Sequence, residues 1–450
     1  MVNTRDNIVV NTKTRSKKGT SDEPTDNTKK RKASASVVIH QKLSDGVSPA
    51  KKRKSESQHQ DVEEIDTSKP TAIFQPTAGR DWTVTIALPG SWTLNAKKPD
   101  HKTVLVGRIA RFAAIYCVDE IVVFDDDPSN VDSKVVDPKY IREGRSKQEV
   151  LDSILEQDEA WQNPDQFMYH LLSFAECPPH LRREIFQEHQ NLKWVGNLPS
   201  MDMPHHLRSH EWCRYREGVV TGRAPAPSST PNKSKKSKAS QVEYAYVDCG
   251  LPHPVRVPIP EETSLEQGMR TTVRFANADA DPPPAWPHLS QQDCENLQAV
   301  ACAASLPREE VGYYWGYTVR RAPSLSAVFS ECEYKDGYDF CIGTSERGQS
   351  VYSFTSGAGT SSANGAPAVK APDSFKHLLL VFGGQAGIEP AVANDPALVA
   401  RGLGKGSAGT LFDAWINLVP RQGSRTIRTE EAVSIGLAAL KPWIDNMYEQ

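Results

Sequence analysis

The spacing of apolar residues indicates that ordered structure begins at Trp82. The run Trp82–Leu88 is rich in β-branched and apolar residues and stops at Pro89-Gly90, which predicts a strand. The run Ile121–Phe124 is continuously apolar, as in a strand buried on both faces. Between them, apolar residues recur on one helical face: Leu105, Ile109, Phe112, Ala113 and Tyr116. Strand, helix and strand in this order predict a parallel α/β sheet.

The pattern changes in the middle of the chain. Helices are predicted around Gln166–Glu176 and His180–Phe186, and short β-type runs separated by Pro, Gly and a Ser/Lys-rich linker follow. These runs are Gly218–Val220, Glu243–Val247, Val255–Val257 and Arg270–Phe275. Many short strands are typical of a small barrel, and the α/β pattern returns after Tyr313. We therefore expect one α/β domain interrupted by a barrel over residues 211–308.

Residues 1–79 have a polar composition and no sustained periodicity, which predicts disorder. The whole chain carries a formal net charge of -3, yet this segment holds 15 Lys/Arg against 10 Asp/Glu. Two basic runs, Lys29–Lys32 and Lys51–Lys54, suit nuclear import or phosphate contacts and suggest a nuclear or nucleolar location. The alternative is a solvated charge run that no partner recognises.

Composition excludes several other classes of protein. Neither a membrane-spanning apolar stretch nor a secretory leader is present in the sequence, so no membrane is expected as a partner. The eight cysteines form no C-x-x-C pair and are interpreted as ordinary thiols. His205, His206 and His210 lack acidic or thiol partners at ligand spacing, so we expect no metal site.

Three glycine-bearing segments stand out in the C-terminal third. They are Ile342–Gly348, Phe382–Gly387 and Gln422–Glu431. Glycine at the carboxyl end of a parallel strand lets backbone groups approach a ligand, although each segment alone could be a simple turn. A further run, Gly404–Gly409, matches G-x-G-x-x-G but follows no strand, so we assign it to a flexible loop. A Rossmann oxidoreductase is excluded because Leu88–Ser91 lacks the fingerprint after the first strand.

These three segments, together with Ala87–Ser91, Cys117–Phe124 and Trp315–Arg320, resemble the SPOUT (trefoil-knot) class of RNA methyltransferases. The resemblance covers about residues 82–440. It implies a knotted α/β domain that binds S-adenosyl-L-methionine (SAM), acts on RNA as a homodimer and carries an OB-like RNA-binding insert. The SPOUT domain then spans residues 80–210 and 309–450, with the knot and the SAM site in the second part.

The same resemblance implies the residues of the site. Cofactor binding is expected from all three loops and from a segment that enters the knot: Arg320, Gly343, Thr344, Glu346, Gly383, Gly384, Gly387, Asn417, Leu418, Gln422, Gly423 and Ser424. RNA contacts are expected from arginines of the insert and of the third loop: Arg256, Arg270, Arg274, Arg425 and Arg428.

Two departures from the family pattern affect the loops. Where the family has Pro-Gly-Gln-Gly-Ser, this chain has Arg421 in place of the first glycine, at a cost of about 1 kcal/mol if that position adopts a positive φ. A Gly/Ser/Ala-rich insertion over about residues 356–371 lies between two cofactor loops and is interpreted as a surface excursion.

The sulfonium methyl of SAM is already activated, so the protein must align the acceptor and remove its proton. Glu346 is a candidate base or only a cofactor ligand. Arg428 is a candidate for stabilising a negative acceptor, the alternative being an ion pair with Glu430 or Glu431. The expected function is methylation of an rRNA uridine, with N3 favoured. The alternative is a SAM-binding protein with little or no catalytic activity that binds RNA or associates with the mitotic spindle or kinetochore.

Overall fold

The computed structural model describes residues 76–128, 163–226, 242–259, 264–275, 282–357 and 368–448. The two basic runs, the Ser228–Ser240 linker and residues 358–367 of the predicted insertion lie outside the described residues. The strands are β1 Thr83–Pro89, β2 Glu120–Phe124, β3 Tyr215–Ala224, β4 Tyr244–Asp248, β5 Val255–Pro258, β6 Arg270–Phe275, β7 Ala299–Cys302, β8 Thr318–Ala322, β9 Phe340–Ser350, β10 His377–Val381 and β11 Ala414–Asn417. The α-helices are α1 Pro99–Ile115, α2 Pro164–Glu176, α3 Arg182–Ile185, α4 Gln291–Asn296, α5 Leu306–Val311, α6 Leu325–Ser330, α7 Val351–Ser356, α8 Glu389–Asn394, α9 Pro396–Ala400 and α10 Thr429–Asp445.

Six strands form a parallel sheet in the order β11-β9-β10-β1-β2-β8. Strands β1 and β2 are buried at every position, as their nearly continuous apolar runs predict for strands covered on both faces. One face packs against α1, α2 and α10, while the other packs against α6 and α8. The predicted parallel α/β sheet is confirmed.

The middle of the chain forms a separate antiparallel sheet of five strands in the order β5-β4-β3-β6-β7. Its edge strands β5 and β7 lie near each other, so the sheet is nearly closed like a barrel. Val247, Val273 and Phe275 are buried inside it. The four predicted runs correspond to β3, β4, β5 and β6, and the sequence analysis missed only β7, which is short.

Two further expectations can be compared with the described residues. The Gly404–Gly409 run begins a 3-10 helix over Lys405–Leu411, so its assignment to a flexible loop was wrong. Within the described ranges, no helix is both long and apolar enough to cross a membrane.

Candidate cofactor and RNA site

The three glycine-bearing segments meet at one edge of the parallel sheet. The segment after β10 and the segment after β11 both leave the carboxyl ends of their strands, and β9 lies between those two strands. All strands of this sheet run in the same direction, so the loops that follow them converge on the same edge. The sequence prediction that the three segments share one site is consistent with this placement.

The first loop is an excursion within β9. Trp415 of β11 pairs with Gly343, whereas the next residue, Ile416, pairs with Gln349, so the residues between Gly343 and Gln349 bulge out of the ladder. The Thr344 hydroxyl donates to the Val381 carbonyl at 3.0 Å, at the end of β10. The first loop is therefore tied to the start of the second.

Close packing explains several of the glycines. A Cβ on Gly343 would lie 2.5 Å from the rings of Phe412 and Trp415, and one on Gly383 would lie 2.3 Å from the Gly387 backbone. Gly387 adopts φ +82°, a conformation that favours glycine. These glycines permit the loops to pack against their own surroundings, which is a different reason from the ligand approach that the sequence suggested.

The third loop is joined to the other two by side-chain hydrogen bonds. The Asn417 amide donates to the Glu346 carbonyl at 2.9 Å, and the Thr429 hydroxyl donates to the Gly383 carbonyl at 3.0 Å. Within the loop, the Gln422 amide donates to the Ser424 carbonyl at 3.0 Å. Because these hydrogen bonds already join the loops, little further ordering of the loops is required when a ligand binds.

Two of the predicted cofactor glycines could carry a Cβ without a clash, and one of them, Gly423, faces open space. A Cβ on Gly423 would meet nothing within 4 Å, and a Cβ on Gly384 would make only ordinary contacts, the nearest at 3.5 Å to Pro89. Leu418, directly after β11, is 8% exposed and packs into the core. The exposed backbone at Gly423 leaves amide and carbonyl groups accessible, and such groups can bind the polar parts of SAM.

An arginine links the first loop to the second. The Arg347 guanidinium lies 3.7 Å from the Glu346 carboxylate and 3.6 Å from that of Glu389, at the start of α8. The side chain of Glu346 is 62% exposed, so it lies on the solvent side of the loops. Glu346 is therefore accessible to a ligand, although its carboxylate already lies beside the Arg347 guanidinium.

Arg421 adopts φ 67°, in the left-handed region that a non-glycine residue rarely occupies. The sequence analysis predicted a strain of about 1 kcal/mol if a non-glycine residue had a positive φ at this position, and Arg421 has one. The side chain is exposed. The strained residue thus presents its guanidinium to solvent at the rim of the third loop.

Arg425 and Arg428 are also exposed on this loop. Within the described part of the chain, neither guanidinium forms an ion pair. The helix α10 starts at Thr429, and the Glu431 carboxylate accepts from the backbone N–H of Arg428 at 2.9 Å. Glu431 therefore caps the helix instead of pairing with the Arg428 side chain, which leaves that cation available to a ligand.

Arg320 is not brought to these loops. It lies on β8, and two strands separate β8 from β10. Its guanidinium donates to the Glu120 carboxylate at 2.9 Å and to the Val328 carbonyl at 3.0 Å, and these partners hold it within the fold. The expectation that Arg320 binds the cofactor is not supported, because the distance along the sheet and these contacts assign it a structural role.

The predicted RNA contacts of the barrel also need correction. Arg270 is 11% exposed and donates to the Glu176 carboxylate at 2.7 Å and to Glu217, so it fastens β6 to the end of α2. Arg256 is 10% exposed and pairs with Glu295 of α4. Only Arg274 keeps substantial exposure, 34%, and it too forms an ion pair, with Glu310 at 2.6 Å. Arg256 and Arg270 hold the barrel together and are poorly placed for phosphate.

The histidine cluster belongs to the same buried region. Both His205 and His206 contact the Glu176 carbonyl through Nε2, at 3.0 and 2.7 Å. Burial lowers the pKa of His206 to about 3, so this ring is neutral at physiological pH. No group of three or more potential metal ligands occurs among the described residues.

Two residues that the sequence analysis did not select lie beside the second loop. Ser91 follows β1 and Asp126 follows β2, so both occupy the same sheet edge as Gly384. Their position directly after two predicted strands was a usable signal. The sequence analysis used Ala87–Ser91 for the end of a strand and for the family resemblance, but proposed no site residue there.

Comparison with known proteins gives consistent results. Residues 83–440 match the model of the family described as "Putative RNA methyltransferase". The chain is 36% identical over 392 residues to a 28S rRNA (uridine-N(3))-methyltransferase of Homo sapiens, which covers 87% of this chain and 85% of the relative. It is 38% identical over 367 residues to the protein of the same name in Mus musculus, covering 81% and 77% of the two chains. A third protein of this name, from Drosophila melanogaster, is 35% identical over 361 residues, covering 80% of this chain and 62% of the relative.

Proposed function

The chain belongs to this family of RNA methyltransferases, and from that membership we propose that it methylates N3 of a uridine in large-subunit ribosomal RNA with SAM as the methyl donor. The names of the human, mouse and fly relatives support this choice of RNA and atom. SAM supplies an activated methyl group when it is bound. The protein must then position the uridine and dispose of its N3 proton.

The observation that carries this proposal is the grouping of exposed cations beside the three joined loops. Arg421, Arg425 and Arg428 are exposed on the third loop, and none of their guanidinium groups is engaged in an ion pair with any described residue. Guanidinium groups are well suited to phosphate oxygens, which they contact through paired N–H donors. An RNA strand held by these three arginines would lie against the loops that we assign to SAM.

The cofactor assignment is part of the proposal. We assign SAM to the loop surface around Gly384 and Gly423, next to the largely buried Leu418, with Thr344 and Asn417 holding the loops in place. Its support is the open space at Gly423 and the hydrogen bonds between the loops. Gln422 and Ser424 belong to the same wall through their own hydrogen bond.

We also propose the trefoil-knotted SPOUT topology with an OB-like insert, and a homodimer formed through α1 and α10. A groove between these helices is lined by Phe112, Ile435, Arg108 and Glu430, and Ile115 nearby is 52% exposed. A groove that offers both an acidic and a basic residue can be self-complementary under twofold symmetry.

The basic runs in residues 1–79 support a nuclear or nucleolar location.

The deciding experiment uses the full chain with SAM and total ribosomal RNA, followed by mass spectrometry of the nucleosides. We expect 3-methyluridine to form with the wild-type protein and not with Gly384→Trp, whose side chain would fill the space beside the second loop. Gly222→Trp is the control, because Gly222 lies on β3 of the barrel, has no positive φ, and its Cβ would meet nothing within 4 Å. SAM binding without any 3-methyluridine would favour the non-catalytic alternative.

A further inference from the structure

The acceptor atom determines which form of RNA can react. N3 of a uridine carries the hydrogen that pairs with adenine, so a base-paired uridine cannot present this atom to a methyl group. The target uridine must therefore be unpaired when it reacts, and the bases beside it are free to stack on another surface. Proteins commonly bind unpaired RNA bases by stacking aromatic side chains on them. A site for this substrate calls for an exposed aromatic ring near the three loops.

Tyr352 is an exposed aromatic residue in the first turn of α7. It is 68% exposed, more than any other large apolar residue in the described ranges. Its neighbours Val351 and Phe354 are buried in the core. The ring of Phe354 packs edge-on against that of Trp443 in α10, with centroids 5.5 Å apart. Helix α7 is therefore fixed by its buried face, and Tyr352 lies outside that face.

Tyr352 follows the strand next to the third loop. Strand β9 ends at Ser350, which pairs in parallel with Asn417, the last residue of β11. The chain continues from Ser350 into α7 and from Asn417 into the third loop, so both segments leave the same edge of the sheet from neighbouring strands. Tyr352 is two residues beyond Ser350, and Arg421 is four residues beyond Asn417. The aromatic ring and the cations of the third loop therefore belong to the same edge.

Hydrogen bonds fix the segment that packs beside α7. The side-chain amide of Gln349 donates to the Val369 carbonyl at 2.8 Å, and its oxygen accepts from the Val369 N–H at 2.8 Å. The Ala371 N–H donates to the Phe354 carbonyl at 3.0 Å. Because α7 is held from this side as well as from the core, the Tyr352 ring needs little ordering when it stacks on a base.

The charge at this edge favours RNA as the occupant. Arg421 and Arg425 are exposed on the third loop, and neither guanidinium forms an ion pair with any described residue. A surface for a single strand combines cations for its phosphates with flat rings for its bases. A folded protein partner would require a wider apolar surface than one exposed ring beside a group of arginines.

We propose that Tyr352 stacks on an unpaired base next to the acceptor uridine and so positions the single strand for methylation. This inference rests on the uridine N3 activity proposed above. Tyr352 takes no part in bond making, and the arginines of the third loop hold the phosphates of the same strand. Every base has a π face, so stacking on Tyr352 selects unpaired RNA over duplex RNA and tolerates different bases.

The test compares the full-length wild type with Tyr352→Phe and Tyr352→Leu. Phenylalanine keeps the ring and is the matched control, whereas leucine keeps an apolar side chain without a π face. Because Tyr352 is exposed, both variants should unfold at the urea concentration of the wild type. Tyr352→Leu should bind the rRNA fragment that the wild type methylates about fivefold to a hundredfold more weakly, as for the loss of one base–aromatic stack. Tyr352→Phe should bind it like the wild type, and both variants should keep wild-type SAM affinity in calorimetry.

Abasic substitution identifies the stacked base. Removing the bases beside the target one at a time should weaken binding by the wild type at one position, and Tyr352→Leu should lose no further affinity there. A 2-aminopurine at that position should lose fluorescence when the wild type or Tyr352→Phe binds, because stacking quenches it, and should stay bright with Tyr352→Leu. This readout does not depend on turnover.

Three results would overturn the inference. They are equal RNA affinity of Tyr352→Phe and Tyr352→Leu, an equal response of the wild type and Tyr352→Leu at every abasic position, and loss of SAM binding in Tyr352→Leu. If the wild type forms no 3-methyluridine in total rRNA, the proposed function fails separately. The preference of the wild type for a short single-stranded RNA over its duplex then tests the stacking alone: its loss in Tyr352→Leu supports stacking, and its persistence refutes it.

Discussion

Replacing Arg421 by glycine should make the protein more stable and a weaker RNA binder. A left-handed backbone costs a non-glycine residue about 1–2 kcal/mol, and Arg421 has φ 67°. Glycine removes that cost but gains about 0.4–1 kcal/mol of conformational freedom in the unfolded chain. The expected net stabilisation is therefore about 0.5–1 kcal/mol.

The assay compares Arg421→Gly with Arg421→Ala by urea denaturation of the full chain. Alanine removes the same charge but keeps the Cβ and hence the strain, so the difference between the two variants isolates the backbone term. We expect glycine to be more stable than alanine by about 0.5–1 kcal/mol. Equal stability of the two variants, or a less stable glycine variant, would refute the reasoning.

The RNA affinity of the same two variants tests why the strain is tolerated. Backbone strain is commonly retained at functional sites, where the strained residue contributes to the activity. If the exposed Arg421 guanidinium contacts a phosphate, both variants should bind RNA more weakly, and the slope of log affinity against log salt should fall by about 0.7–0.9. Unchanged affinity in both variants would leave the strain without a functional reason.

Four further outcomes are expected. Arg428→Ala should lower the rate of RNA methylation while SAM affinity in calorimetry stays nearly unchanged. A loss of SAM binding would instead show that Arg428 has a structural role. Arg270→Met should destabilise the protein by about 3–5 kcal/mol in urea, because it leaves the Glu176 and Glu217 carboxylates buried without their cation. His206 has an ordinary pKa of about 6.5 in the unfolded chain and a pKa of about 3 in the folded protein, so between these values only the unfolded chain is protonated. His206 should therefore make the free energy of unfolding fall by up to about 1.4 kcal/mol for each pH unit of acidification in this range. His206→Gln should remove this contribution, whereas the exposed control His101→Gln should not. Deletion of residues 1–79 should weaken RNA affinity only modestly in a filter-binding assay, and abolished methylation would place the tail in the site.

Much of the parallel sheet could be predicted because its strands are buried on both faces. The run Ile121–Phe124 lies within β2, and Leu378–Val381 lies within β10. The barrel strands were found from short runs between turn residues, and Arg270–Phe275 matches β6 at both ends. What the pattern could not give was the strand order, since β1 lies between β10 and β2, and contacts so distant in sequence leave no trace in local periodicity.

The cofactor loops illustrate a second limit. Glycine marks places where a chain cannot carry a side chain, but the sequence does not say what occupies the space. At Gly343 the neighbours are the rings of Phe412 and Trp415, and at Gly383 they are backbone atoms of the same loop. Among the glycines predicted to bind the cofactor, Gly423 alone faces open space, and Gly384 makes only ordinary contacts. Glycine therefore occurs in these loops for two different physical reasons.

The arginines show the consequence for RNA recognition. A sequence displays the charge of Arg270 and of Arg428 equally, whereas the structure gives the first two buried carboxylate partners and the second none among the described residues. A guanidinium already neutralised inside the protein contributes little to the attraction of phosphate, since binding would require breaking its ion pairs. We therefore expect phosphate contacts to be concentrated at the third loop, next to the reaction site. The barrel would then contribute mainly by its fixed attachment to the α/β domain. Arg425→Ala should therefore weaken RNA binding more than Arg256→Ala when the two variants are titrated with RNA at the same salt concentration.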